Sequence, residues 1–114
     1  MHFDNVKIIR IVDGDTLDVE IDLGFSIKIK QRLRLSGVNT NELHATDASL
    51  RESANRAKLF MEDALIGKDN VSIFTTKPEK YGRYLAEVFL KEQDGSFTSV
   101  NDMLLDNGLA QVYV

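Results

Sequence analysis

From Thr16 to Leu23 apolar and polar residues alternate without a break: Leu17, Val19, Ile21 and Leu23 are apolar, and Thr16, Asp18, Glu20 and Asp22 are polar. A period of two places one face of a strand against a core and the other in water. After Gly24-Phe25-Ser26 the alternation returns, with Ile27, Ile29, Leu33 and Leu35 on one side and Lys28, Lys30, Arg32 and Arg34 on the other. Gln31 is the polar intruder on the apolar side. Ahead of this hairpin, a β-branched run from Lys7 to Val12 meets Asp13-Gly14-Asp15, which predicts a first strand ended by a tight turn. Ser36 to Ala48 has no period and reads as a long loop, the kind of segment that tends to carry function. Ser49 and Glu52 form an S-x-x-E capping box, and Leu50, Ala54, Ala57, Met61, Ala64 and Leu65 recur at helical spacing up to Gly67. Val71 to Thr75 and Arg83 to Lys91 read as strands joined by a turn around Pro78 to Gly82, and Asp94-Gly95 marks another turn. Val100 to Asn107, capped by Ser99 and closed by Gly108, predicts a short helix. The order β-β-β-α-β-β-α predicts a mainly β fold with helices, and a five-stranded OB-fold barrel is its economical architecture.

If the hairpin turns symmetrically about Phe25, opposite residues pair as Asp22 with Lys28, Glu20 with Lys30 and Asp18 with Arg32. Each pair is oppositely charged, which supports the register at roughly 0.2 to 1 kcal/mol per pair. Lys28, Lys30 and Arg32 therefore read as a solvated charge ladder rather than a nucleic-acid groove. The same register sets Arg34 opposite the uncharged Thr16 and beside Asp15. Its guanidinium is left uncommitted and suited to bidentate recognition of a carboxylate or phosphate.

Composition narrows the classes further. A length of 114 residues fits a single domain over residues 1–114, and the absence of cysteine removes disulfides. No apolar run approaches 18 residues, and Met1 to Asn5 lacks a basic, apolar leader. A membrane span is not expected, and a cytoplasmic location is, unless the domain is cut from a longer or secreted protein. A net charge of −4 argues against a broad basic surface but leaves room for a local groove. Two histidines and no cysteine argue against zinc, so His44 reads as a loop residue. No stripe points to an obligate interface, and a monomer is expected.

Asp13 and Asp15 could supply hard oxygen ligands to calcium or magnesium, although D-G-D is also common in ordinary turns. Asn39, Thr40 and Glu42 follow Arg34 closely enough to return to the same barrel mouth, and Lys80-Tyr81-Gly82-Arg83 brings a second arginine to a turn. Four motifs in this order resemble the staphylococcal nuclease-like (thermonuclease) family over nearly the whole chain. They are V-D-G-D-T at Val12 to Thr16, R-L-x-x-V-N-T-N-E at Arg34 to Glu42, K-Y-G-R at Lys80 to Arg83, and N-G-L-A-Q-V-Y at Asn107 to Tyr113.

The resemblance implies an OB-fold and calcium-dependent hydrolysis of phosphodiester bonds in single-stranded or frayed DNA and RNA, leaving 3′-phosphates. It implies Asp15 and the Thr40 backbone carbonyl as metal ligands, Glu42 as general base, and Arg34 and Arg83 as phosphate-holding groups. Lys80 and Tyr81 match positions near the nucleotide's terminal phosphate and base. Two positions depart from the family pattern. Asn39 stands where a second metal carboxylate is usual, and Asn41 replaces a proline, so weaker metal binding and a looser loop around Glu42 are expected. The chain stops at Val114, where family members commonly continue into another helix, so a trimmed or minimal form is expected. The alternative is a noncatalytic OB-fold module that binds nucleic acid or protein through a degenerate metal site.

Overall fold

The computed structural model describes residues 1–78 and 83–113. In chain order the elements are β1 (His2–Phe3), β2 (Val6–Asp13), β3 (Thr16–Gly24), β4 (Ile27–Leu35), β5 (Val38–Asn39), α1 (Ala48–Leu65), β6 (Val71–Pro78), β7 (Tyr84–Lys91), β8 (Phe97–Ser99), α2 (Val100–Asp106) and β9 (Gln111–Val112). Among the described residues seven strands make one sheet in the order β1-β6-β7-β4-β3-β2, with β8 added to β7. The five long strands β2, β3, β4, β6 and β7 supply the frame of an OB-fold. Their alternating inner faces bury Leu17, Val19, Leu33, Leu35, Ile73 and Val88, and the helices add Met61, Leu65 and Leu104. Among the described residues no helix is long and apolar enough to cross a membrane.

The charge ladder has the expected register: Asp22 faces Lys28, Glu20 faces Lys30, Asp18 faces Arg32 and Thr16 faces Arg34. The turn itself departs from symmetry. Gly24 pairs with Ile27 across an irregularity, leaving Phe25 and Ser26 as a two-residue loop with φ of 56° and 62°. Positive φ at both positions gives the twist that tight hairpins favour, although neither residue is the glycine such turns prefer. Arg32 donates two hydrogen bonds to Asp18, at 2.8 and 3.2 Å, and this pairing lowers the Asp18 carboxyl below its ordinary value.

The first helix is capped two residues earlier than its capping box predicts. Asp47, not Ser49, is the N-cap: its carboxylate accepts from the N–H groups of Ser49 and Leu50, at 2.8 and 3.4 Å. With Asp47 in that role Ser49 falls inside the first turn, where its own N–H is one of the donors needing a partner. The predicted loop also contains a strand. Its residues Val38 and Asn39 form β5, which pairs antiparallel with β9 as a separate two-stranded sheet.

Small residues bring α1 close to the turn between β2 and β3. Ala54 and Ala57 are buried on the helix face that meets it. A Cβ placed on Gly14 would lie 2.7 Å from the Cβ of Ala57 and 2.9 Å from Cγ2 of Thr40. Gly14 is thus required for space. Gly14→Ala should lower unfolding free energy by about 1 to 3 kcal/mol, as overpacking does. Urea unfolding checks this, and an unchanged midpoint would show that helix and loop can separate at no cost.

Candidate functional site

The end of β4 changes character because the barrel closes there. Leu33 to Leu35 pair in parallel with Tyr84 to Ala86 of β7, so this stretch has neighbours on both sides while the outer part of the hairpin does not. Lys28, Lys30 and Arg32 are exposed, but the Arg34 side chain retains only 9% of its exposure. A buried guanidinium must have its donors matched. Nη1 donates to the carbonyls of Leu35 and Val38, at 2.8 and 3.1 Å, and Nη2 donates to Oδ1 of Asn39 at 3.0 Å. Nη2 also lies 3.6 Å from Oδ2 of Asp15, and the Tyr113 ring covers the guanidinium with its centroid 4.8 Å away. The expectation of an uncommitted Arg34 is therefore corrected: burial obliges it to organise the groups around it.

The loop after β4 is held from several directions. The Leu35 N–H donates to the Asp15 carbonyl at 2.8 Å, and the Ser36 N–H donates to Ala86 at 2.9 Å. Asn101 of α2 is buried and spans three acceptor and donor sites. It accepts from the Val88 N–H and donates to the carbonyls of Ser36 and Ala86. Pairing of Val38 with Val112 and Asn39 with Gln111 fixes the next residues, and the Tyr113 N–H donates to Gly37 at 2.9 Å. The Thr40 N–H then donates to Oδ2 of Asp15 at 3.1 Å, tying the loop back to the β2–β3 turn.

These contacts frame a cavity of about 260 Å³ lined by Asp15, Arg34, Asn39, Thr40, Glu42 and Arg83, together with Asp13, Thr16, Asn41 and Tyr113. Six predicted site residues thus converge on one place. Lys80 and Tyr81 lie outside the described residues. A larger hollow of about 450 Å³ runs elsewhere along β2 and the hairpin, but Lys7, Lys28 and Lys68 there face Asp4, Glu20, Asp22 and Asp69, a balance that selects no ligand. Chemistry, not volume, marks the smaller cavity.

Electrostatically the cavity sets two arginines against three carboxylates. Partial burial, then the nearby Asp15 and Glu42 charges, push the Asp13 carboxyl above its ordinary value, while Lys58 and His44 pull it back. Asp13, read beside Asp15 as a possible cation ligand, was given no role by the resemblance, and Tyr113 was given none either. D-G-D was the signal for Asp13, and the terminal tyrosine of N-G-L-A-Q-V-Y was the signal for Tyr113. Among the described residues no three Asp, Glu or His side chains form a ready metal cage. The oxygen-bearing groups that share the cavity are mixed: the Asp15 carboxylate, the Asn39 amide and Thr40, whose buried Oγ1 has no hydrogen-bond partner among the described residues.

Comparison with known proteins follows the same lines. Residues 32–114 match the family described as Staphylococcal nuclease homologue. An uncharacterized protein of Methanocaldococcus jannaschii is 35% identical, over 95% of this chain and 58% of its own length. The thermonuclease of Staphylococcus hyicus is 33% identical, over 92% of this chain and 57% of its own length. An uncharacterized protein of Bacillus anthracis is 33% identical over 73% of this chain and 37% of its own length. The chain thus spans between 37% and 58% of the length of these relatives.

The unmatched hydroxyl makes a direct test of the site's packing. Thr40→Val keeps the branched shape and removes a buried oxygen that lacks a partner, so stability should be unchanged or raised by up to about 1 kcal/mol. Denaturant unfolding measures it, and a loss of that size would mean the hydroxyl is satisfied in solution.

Proposed function

The chain belongs to the staphylococcal nuclease homologue family, and on that footing we propose that it is a calcium-dependent nuclease hydrolysing single-stranded or frayed DNA and RNA. The observation that carries this reading is the convergence of Arg34, Arg83, Glu42 and Asp15 on one cavity. Recruited from three separated stretches of chain, they supply complementary groups: cations for a phosphate, an exposed carboxylate for a proton, and a less exposed carboxylate held in place.

Arg34 is preorganised for a phosphate. Its Nη1 is committed to two carbonyls and one Nη2 proton to Asn39, so a phosphate would be met side-on by the Nε proton and the second Nη2 proton. Arg83, exposed just before β7, lines the same cavity. In the proposed reaction water attacks phosphorus, Glu42 takes its proton, and the bond from phosphorus to the 5′ oxygen breaks. That oxygen leaves with a proton taken from solvent water, giving a 3′-phosphate and a 5′-hydroxyl, and Glu42 returns its proton to solvent. The arginines stabilise the more charged transition state more than the ground state, which is the part of binding that accelerates a reaction.

A hard divalent cation fits the donors present, which are oxygens throughout: Asp15, the amide of Asn39 and the carbonyl of Thr40, with Asp13 and Glu42 lining the same cavity. Such an ion supplies charge neutralisation at the phosphate. Asn39 provides one negative charge fewer than a carboxylate, and its Oδ1 already accepts from Arg34. That same observation favours the alternative reading, a binding module that retains phosphate contacts without turnover.

End-labelled single-stranded DNA and RNA, incubated with the protein in calcium, magnesium or excess chelator, distinguish the two. Calcium-dependent cutting is expected, and Glu42→Gln should lower turnover by about 10²- to 10⁴-fold with the fold intact. Cutting at the parent rate by Glu42→Gln would remove that residue from the chemistry, and binding without cutting would leave the module. Calorimetric titration provides a separate check on the metal: Asn39→Asp should bind calcium more tightly than the parent, and equal or weaker binding would take Asn39 out of the ligand set.

A further inference from the structure

The β3–β4 hairpin is amphipathic along its whole length, but the barrel covers only part of its apolar face. Leu17, Val19, Ile21 and Leu33 are buried, whereas Leu23, Ile27 and Ile29 continue the same alternation into solvent. Ile27 is 53% exposed, and Phe25 at the tip is 98% exposed. Four large apolar side chains gathered at one end of a hairpin exceed the scattered exposure that is ordinary on a folded surface. Ile29 also lines a cavity of about 160 Å³, to which β3 and β4 contribute Ile21 and Leu33, and β1 and β7 contribute Phe3 and Tyr84.

The strand that borders this face is open along one edge. β3 pairs with β4 along its length, but among the described residues the other edge of β4 has a partner, β7, only from Leu33 onward. From Ile27 to Arg32 that edge presents backbone donors and acceptors in an extended row, a template for a further strand. Two of its cations are also uncommitted. Arg32 forms an ion pair with Asp18, but among the described residues Lys28 and Lys30 form none, and Asp22, opposite Lys28, accepts from the Gly24 N–H instead.

Charge decides what can add there. If a second copy paired its own β4 here about a twofold axis, any antiparallel register that kept the isoleucines on one face would set cations opposite cations on the other. Like charges directly opposite are destabilising. The sheet's other long edge, β2, carries Lys7 and Arg10 opposite Glu20 and Asp18, so it too offers cations where β4 calls for acids. A strand with acids at every second position and apolar residues between them satisfies both faces at once.

We propose that the open edge of β4, from Ile27 to Arg32, is a docking site for an extended segment of a partner polypeptide in which acidic and apolar residues alternate. Its acids meet Lys28 and Lys30 on one face, its apolar residues cover Ile27, Ile29 and the adjoining cavity on the other, and its backbone extends the sheet by one strand. β3 displays the same pattern, because Leu17-Asp18-Val19-Glu20-Ile21-Asp22-Leu23 meets the opposite edge of β4 in this way. The proposal is independent of the nuclease reading, since none of the four β4 residues it uses lines the candidate site.

A fluorescein-labelled synthetic peptide with the sequence of residues 16–23 is the probe, and the same peptide with lysine in place of Asp18, Glu20 and Asp22 is the control. Fluorescence anisotropy should show saturable binding of the acidic peptide to the parent protein with a Kd below about 100 μM, and binding of the lysine peptide at least about tenfold weaker. The double variant Lys28→Gln, Lys30→Gln should weaken the acidic peptide by at least about fivefold, and Ile29→Thr, which keeps a β-branched side chain, by about threefold. Amide exchange in the parent reports the mode of binding: the peptide should slow alternate amides between Ile27 and Arg32, those that point away from β3. No saturable binding, equal binding of the lysine peptide, or unchanged exchange along β4 overturns the proposal. A concentration-dependent dimer in sedimentation that Ile29→Thr abolishes also overturns it, because the apolar face then belongs to a second copy.

Discussion

A guanidinium buried beneath the barrel mouth must be surrounded by acceptors, and in this chain that requirement shapes the site. Removing a charge from water costs several kcal/mol unless hydrogen bonds and opposite charge replace its hydration. Arg34 obtains that replacement from two backbone carbonyls, an amide oxygen, a nearby carboxylate and a tyrosine ring. These five partners come from four parts of the fold: the end of β4, β5, the β2–β3 turn and the residue following β9. Burial of one side chain thus couples four segments that are distant in sequence or have little structure of their own.

The coupling explains how a loop without regular structure can present groups with fixed spacing. Residues 36–40 are tied to α2 by Asn101, to β9 by the two-residue ladder and to the β2–β3 turn by the bond from Thr40 to Asp15. Gly14 lets helix α1 and Thr40 press against that turn. Glu42 lies just past these anchors, exposed, on the part of the loop where Asn41 gives less restraint than a proline would. Rigid support therefore reaches Arg34 and the Asp15 carboxylate, while Glu42, proposed above as the proton acceptor, keeps more freedom.

Much of the scaffold was legible because it obeys periodic rules. Alternation from Thr16 to Leu35 identified the hairpin, and opposite charges chose its register down to Thr16 facing Arg34. The helical spacing from Ala54 to Leu65 identified the face that packs inward. What was not legible depends on closure in three dimensions. Arg34 continues the polar face occupied by Lys28, Lys30 and Arg32, and only closure against β7, with Val38, Asn39 and the Tyr113 ring packed around it, takes it out of solvent. Strands of two residues, β5 and β9, are too short to show a period, so the loop's attachment could not be anticipated. Motif resemblance assembled Asp15, Arg34, Asn39, Thr40, Glu42 and Arg83; Asp13, legible only as half of D-G-D, was tied to them by crowding of charge, and Tyr113 by contact with a side chain it never neighbours in sequence.

The central claim is that the Arg34 guanidinium holds the site loop against the barrel. Amide hydrogen exchange in the parent protein and in Arg34→Met, which keeps a long side chain but removes charge and donors, addresses it most directly. Faster exchange at Thr40 and Tyr113, with the amides of Val19 and Val88 in the barrel still protected, is the predicted result. Unchanged protection at Thr40 and Tyr113 would contradict the account, because the loop would then stand without the interaction said to secure it.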